Sequence, residues 1–239
     1  MGRSCPNQGL HHERCEPRPL RFVATSSSGE VSALVLRPED ARWLLVLGHG
    51  AGAGMRHPFM ETVSSHLAAH GIATFRYQFP YMEQGKKGPD PQPVLVKTVR
   101  SAVDAAMAVA ADLPLLAGGK SLGGRMTSTA MAEGPLPEVH GLVFFGFPLH
   151  APGKPSRERA DHLSRVPVPM LFLQGTRDNL ASLELLRPVC EKLGERAALR
   201  IIDGADHGFH VLKSSGATDD EVLRRLGADV ADWARQIGS

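Results

Sequence analysis

At 239 residues, with 42% hydrophobic and 22% charged side chains, the chain has the makeup of a folded protein with one large core, which excludes an intrinsically disordered polymer. Its 27 Lys and Arg against 25 Asp and Glu leave a formal charge of +2, too little to mark a face for nucleic acid or anionic lipid. No apolar run approaches the length that a bilayer requires.

The opening stretch MGRSCPNQGLHHERCEPRPL puts charges and prolines where a secretory signal carries its apolar segment. It predicts a cytoplasmic protein with a flexible tail over residues 1–19 and a single domain over 20–239. Cys5, Cys15 and Cys190 form an odd, sparse set that suits reduced thiols. Cys5, His11, His12 and Cys15 have metal-binding side chains but lack the close pair spacings of zinc sites, and neither metal nor cofactor is expected.

Residues 21–24 and 31–36 read as strands joined by the turn Ser26-Ser27-Ser28-Gly29. Beyond them the pattern changes. Short apolar runs at 43–47, 72–75, 115–117, 142–145, 170–173 and 199–202 alternate with helical stripes, and unbroken apolarity points to strands covered on both faces. One stripe is Val96, Val99, Val103, Ala106 and Ala110; another is Val222, Leu226, Val230, Trp233 and Ile237, with Thr218 and Glu221 spaced as a capping box. The alternation predicts an α/β fold, a mostly parallel, doubly wound sheet of about eight strands with an antiparallel edge.

One turn in this sheet stands out. Gly119-Lys120-Ser121-Leu122-Gly123 matches G-x-S-x-G, between an apolar strand and the small-residue helix start 123–127. Glycines flanking a lone serine leave room for a tight turn that holds its hydroxyl above the sheet; the plainer alternative is an unreactive glycine-rich turn. A serine is a weak nucleophile without a base. His207 follows the last strand, with His210 in the same loop as the alternative base. Asp178 follows the strand 170–173 and suits the orienting carboxylate, whereas Asp206, adjacent to His207, reads as a loop-shaping residue. The order Ser121, Asp178, His207 is that expected of α/β-hydrolases.

Oxyanion donors are expected at the amides of Leu122, after the serine, and of Ala51, in the loop Gly48-His49-Gly50-Ala51-Gly52-Ala53-Gly54-Met55, with Gly52 next in line. That loop lacks the glycine spacing of a nucleotide fingerprint. His49 reads as a pin for the loop. Gly52, Met55, Phe79 and Tyr81 are expected to line the substrate pocket.

The blocks at 49–55 with Pro58-Phe59-Met60, 75–82, 118–125, Pro152-Gly153-Lys154-Pro155 and 174–178 together resemble the KANSL3/Tex30-type α/β-hydrolase family, related more distantly to dienelactone hydrolases. The resemblance runs from about the first strands to the end of the chain. It implies the α/β-hydrolase fold and carries the triad roles onto Ser121, Asp178 and His207, but it implies no particular substrate. Gly208-Phe209-His210-Val211 is bulkier than the family pattern.

With only a short connection from Pro148 to Pro169, a minimal cap is expected. These readings converge on a serine hydrolase acting on a small ester or related acyl substrate through a covalent acyl-enzyme, as a monomer or homodimer, with no nucleic-acid or membrane partner. Acyl transfer or peptide cleavage by the same machinery is a variant of this reading. A non-catalytic scaffold with the same fold, binding a protein partner, is the alternative.

Overall fold

The structure, a computed structural model, describes residues 16–136 and 138–238. Residues 1–15 of the expected tail, with Cys5, His11, His12 and Cys15, lie outside the described residues. Strands β1 (Arg18–Thr25) and β2 (Gly29–Leu36) form the antiparallel edge. β1 begins inside the stretch expected to be tail, because Arg18 and Pro19 pair with Val35 and Leu34. Pro19, which has no N–H to donate, is tolerated there because β1 is the outermost strand.

After this edge the chain alternates. β3 (Trp43–Gly48), α1 (Pro58–Ala68), β4 (Ile72–Tyr77), α2 (Pro80–Glu83), α3 (Gln92–Val109), β5 (Leu115–Lys120), α4 (Leu122–Glu133), β6 (Val139–Phe145), β7 (Met170–Gly175), α5 (Leu183–Leu193), β8 (Ala197–Ile202) and α6 (Asp219–Ile237) follow in order. The 8-stranded sheet runs β1-β2-β4-β3-β5-β6-β7-β8, parallel from β4 to β8. It has the α/β-hydrolase architecture. From β3 the chain winds outward to β4 on one side and then to β5 on the other, so the order reverses between β3 and β5. A crevice opens beyond the carboxyl ends of strands at such a point.

Two cores explain the unbroken apolar runs. Leu44, Val46, Phe144 and Phe172 pack on one face with Val99, Met126 and Leu186 of α3, α4 and α5. Leu45, Leu47, Phe145 and Leu173, their chain neighbours, pack on the other with Val63 of α1 and Val222, Leu226, Val230 and Trp233 of α6. Burying each such side chain contributes about 1.5–3 kcal/mol relative to exposure. At the start of α6 the Thr218 hydroxyl accepts from Glu221 N–H while the Glu221 carboxylate accepts from Thr218 N–H, which completes the capping box. Between β6 and β7 the connection holds a 3₁₀ turn, Glu158–Arg165, packed on α4, where Ser128 and His162 form a hydrogen bond of 2.8 Å.

Candidate active site

The fold puts the serine of the G-x-S-x-G turn between strand and helix. β5 ends at Lys120, α4 begins at Leu122, and Ser121 takes φ 49°, ψ −110°. A non-glycine residue in such a conformation costs on the order of 1–3 kcal/mol and persists only where its surroundings dictate it. The neighbouring glycines supply that constraint: a Cβ on Gly119 would stand 2.3 Å from the Gly48 carbonyl oxygen, and one on Gly123 would stand 2.2 Å from the same atom. The Ser121 N–H donates to Phe145 O at 3.2 Å, tying the turn to β6.

Three residues from separate strand ends meet here. Ser121 Oγ lies 2.9 Å from His207 Nε2, and His207 Nδ1 lies 2.7 Å from Asp178 Oδ2. The Asp178 side chain is fully buried, whereas that of His207 is 21% exposed. Burial resists ionisation of Asp178, but the hydrogen bond from His207, the N–H of Leu180 and the charge of Lys120 outweigh it, so its pKa lies below the ordinary carboxylate value. Its other contacts fix it further. Gln174 Nε2 donates to Oδ2 at 2.5 Å and Leu180 N–H donates to Oδ1 at 2.7 Å. An ionised Asp178 accepts the Nδ1 proton of His207, which leaves Nε2 free to accept from the serine hydroxyl. His210 stands apart, with its Nδ1 paired to Asp219 at 2.7 Å. Asp206 accepts from Gly208 N–H and His210 N–H through Oδ1, which folds the loop around His207.

Leu122 follows this serine in the chain, and Ala51 shares the lining of one cleft with Ser121. Leu122 N–H belongs to the first turn of α4, where it has no acceptor within the helix and sits at the positive end of the helix dipole. Ala51 N–H makes no hydrogen bond among the described residues, and Ala51 is exposed. Gly52 N–H is occupied: it donates to Tyr81 Oη at 3.1 Å.

The four residues expected to line the pocket, Gly52, Met55, Phe79 and Tyr81, are not among those that line the cleft at Ser121. Phe79, Tyr81 and Met55 are buried, with Phe79 and Tyr81 at 0% exposure, and they support the β3 loop from beneath. The cause is α2, a single helical turn after β4 that directs both rings inward against the His49 imidazole, at centroid distances of 5.0 and 6.0 Å. His49 is the loop's hinge pin. Phe79 N–H donates to its Nε2 at 3.1 Å, so the imidazole proton sits on Nδ1, which donates to Gly50 O at 2.8 Å. Desolvation pushes its pKa down to about 4 and keeps it neutral. Gln78 Oε1 accepts from Met55 N–H, and Arg76 donates to Met55 O.

The cleft that reaches Ser121 is bordered by the β3 loop but by none of Gly52, Met55, Phe79 and Tyr81. Its volume is about 420 Å³, and its walls come from Gly50, Ala51 and Ala53, from His57, Phe59 and Met60 at the start of α1, from Gly208, Phe209 and His210 after β8, from Leu180, and from Asp219 and Leu223 of α6. Pro58, Thr62, Lys120, Ser121 and His207 complete it. A second hollow of about 480 Å³, between the 3₁₀ turn and α5, is lined by Arg157, Asp161, Ser164 and Lys192, among others, and touches none of these groups. Phe59, Phe209 and Lys120, which carry no site motif of their own in the sequence, all border this cleft. A usable signal was present in Pro58-Phe59-Met60, because a helix that starts directly after the β3 loop must point its first turn at the crevice.

Among the described residues no group of three or more His, Cys, Asp or Glu gathers as a metal site, and no helix is long and apolar enough to cross a membrane. Solved structures share the architecture. A dienelactone hydrolase from Anabaena variabilis is 20% identical with a TM-score of 0.71, over 92% of this chain and 98% of that one. An α/β serine hydrolase without a lid from Xanthomonas campestris is 19% identical with a TM-score of 0.66, over 88% and 95%. The esterase domain of a Rhodothermus marinus protein is 17% identical with a TM-score of 0.68, over 92% and 98%. A family profile, that of the alpha/beta hydrolase domain, matches residues 41–235. The chain belongs to the alpha/beta hydrolase domain family.

Proposed function

We infer that the protein is a serine hydrolase that cleaves a small carboxylic ester or related acyl compound. The observation that carries this reading is the continuous path Ser121 Oγ, His207 Nε2, His207 Nδ1, Asp178 Oδ2, with steps of 2.9 and 2.7 Å at its two ends. In this account Ser121 Oγ attacks the substrate carbonyl carbon as its proton passes to His207 Nε2. The negative oxygen of the tetrahedral intermediate is held by the amides of Leu122 and Ala51. His207 gives the proton to the departing alcohol, the acyl group stays on Ser121, and water activated by the same imidazole releases the acid. Asp178 stabilises the imidazolium and fixes its tautomer.

The cleft supports an apolar acyl or alcohol group. Its volume of about 420 Å³ holds roughly fourteen water-sized groups at ~30 Å³ each; of its charged walls Lys120 is engaged by the His207 carbonyl and Asp219 by His210, which leaves Phe59, Phe209, Met60 and Leu223 to meet an apolar group. Met55, Phe79 and Tyr81 act behind the loop rather than on the substrate in this reading, and Gly52 helps shape it. The sequence blocks around 49–60 and 118–125 support placement in the KANSL3/Tex30-type branch. A fluorophosphonate probe, which captures an activated serine, tests the proposal: labelling of the parent that is lost in Ser121→Ala supports the hydrolase, and a folded parent that does not label favours the scaffold alternative.

A further inference from the structure

The turn that carries Ser121 also carries Lys120, whose side chain takes no part in the steps above. From the end of β5 it crosses to the loop after β8, where its ammonium donates a hydrogen bond to the backbone carbonyl of His207. The same ammonium lies 5.6 Å from the ring centroid of Phe59 and 5.3 Å from that of Phe209. These rings stack on each other, 5.8 Å apart at 22°. Phe209 has φ 66°, a left-handed conformation that a bulky side chain adopts only when its surroundings impose it. Here the imposition is visible: the residue is 1% exposed, and its ring lies between Phe59 and the ammonium. Gly146, at φ 70° after β6, makes space for the crossing, since an added Cβ would stand 3.1 Å from Lys120 Nζ and 3.3 Å from His207 Nδ1.

We propose that Lys120 is a positioning residue: its ammonium ties the main chain of His207 to the turn that holds Ser121 and clamps Phe209 against Phe59, so that one strut sets the distance between hydroxyl and imidazole. The proposal rests on the reading of Ser121 and His207 as nucleophile and base. A charge-assisted hydrogen bond away from bulk water is stronger than a neutral one, and a base displaced by about 1 Å loses rate on the order of a hundredfold. The ammonium faces Asp178 from the loop after β7 and Asp206 and His207 from the loop after β8. It also borders the cleft that His57 lines from the start of α1 and the His210–Asp219 pair lines from the mouth. Burial lowers its pKa to about 8, and the two carboxylates only partly offset this, so the strut is charged below that pH and neutral above it.

The experiment compares the full-length parent with Lys120→Met and Lys120→Arg, using p-nitrophenyl butyrate kinetics, fluorophosphonate labelling and the low-field proton resonance of the His207 imidazole. Lys120→Met is expected to lose roughly ten- to a hundredfold in kcat with KM changed less than about threefold. Its imidazole resonance broadens, and it lacks the parent's fall in kcat above pH 8. Lys120→Arg keeps the charge, keeps the resonance and recovers part of kcat. A folded Lys120→Met with the parent's kcat and resonance overturns the proposal. If that variant does not fold, Lys120→Gln decides: a loss of kcat with a broadened imidazole resonance supports the strut, and the parent's kcat and resonance in a folded Lys120→Gln overturn it. Failure of the parent to label overturns the hydrolase reading alone, because the resonance still reports whether Lys120 orders the imidazole.

Discussion

The Phe79 amide donates to His49 Nε2 at 3.1 Å while the Phe79 ring stands edge-on to the same imidazole at 5.0 Å, so one residue fixes both the tautomer and the plane of the histidine beneath the β3 loop. Through its other nitrogen that histidine holds Gly50 O, the carbonyl of the peptide whose N–H is Ala51's. Replacing His49 with Ala strands the Phe79 amide and releases the Gly50 carbonyl. We expect stability to fall by about 1–3 kcal/mol and kcat by on the order of a hundredfold, with labelling of Ser121 slowed in proportion. Urea unfolding and ester hydrolysis measure the two effects separately.

The same histidine gives stability a pH dependence of definite sign. Its pKa falls from 6.5 to about 4 on folding, mainly through desolvation, so between these values the unfolded chain binds a proton that the folded one does not. Stability therefore drops as pH falls from 6.5 toward 4, by about 3 kcal/mol at most for a side chain with 0% exposure. His162 is shifted to about 4 as well, again chiefly by burial, and acts in the same direction. Denaturant titrations at pH 7 and pH 4.5 check this: the loss on acidification is smaller in His49→Gln than in the parent, and an equal loss in both contradicts the assignment.

Asp178 acts through two oxygens, one shared by His207 and Gln174 and the other held by Leu180 N–H. Asp178→Asn keeps the shape but offers no anion to the Nδ1 proton, and the favoured tautomer is lost. The expected fall in kcat is about 10³- to 10⁴-fold with little change in KM. Gln174→Leu, which removes only a supporting donor, is expected to cost about tenfold. Steady-state kinetics on p-nitrophenyl acetate distinguishes the two.

The wall contributed by α6 predicts selectivity. Leu223 borders the cleft from a partly exposed position at the edge of the α1/α6 core, so Leu223→Trp adds bulk on the cleft side. Over a p-nitrophenyl series, kcat/KM for acetate is expected to stay within about twofold while that for octanoate falls about tenfold, a difference of roughly 1.4 kcal/mol. A uniform loss across the series would place the acyl chain elsewhere.

Much of the architecture was legible because its causes are local. Trp43 to Leu47 and Met170 to Leu173 are apolar at every step because alternate side chains feed two cores, whereas a strand with one face in water alternates apolar and polar residues. Thr218 and Glu221 announce the start of α6 by spacing alone. The turn around Ser121 was readable because its glycines are sterically forced by Gly48. The convergence of Ser121, Asp178 and His207 followed from the strand ends on which they sit. What could not be read was which aromatic pair borders the cleft. Phe79 and Tyr81 are as aromatic as Phe59 and Phe209 and all four are buried, and only the inward turn of α2 and the left-handed backbone at Phe209 decide which pair packs on His49 and which borders the cleft. The pairing of Arg18 and Pro19 with β2 is hidden in the sequence, where a proline on an edge strand looks like a break.

The most direct test of the central claim is intact-mass measurement after a fluorophosphonate is added to the full-length parent and to Ser121→Ala. The account predicts one stoichiometric adduct on the parent, located to Ser121 by peptide mapping, and none on the variant. A folded parent that stays unmodified, or an adduct that persists in Ser121→Ala, contradicts it.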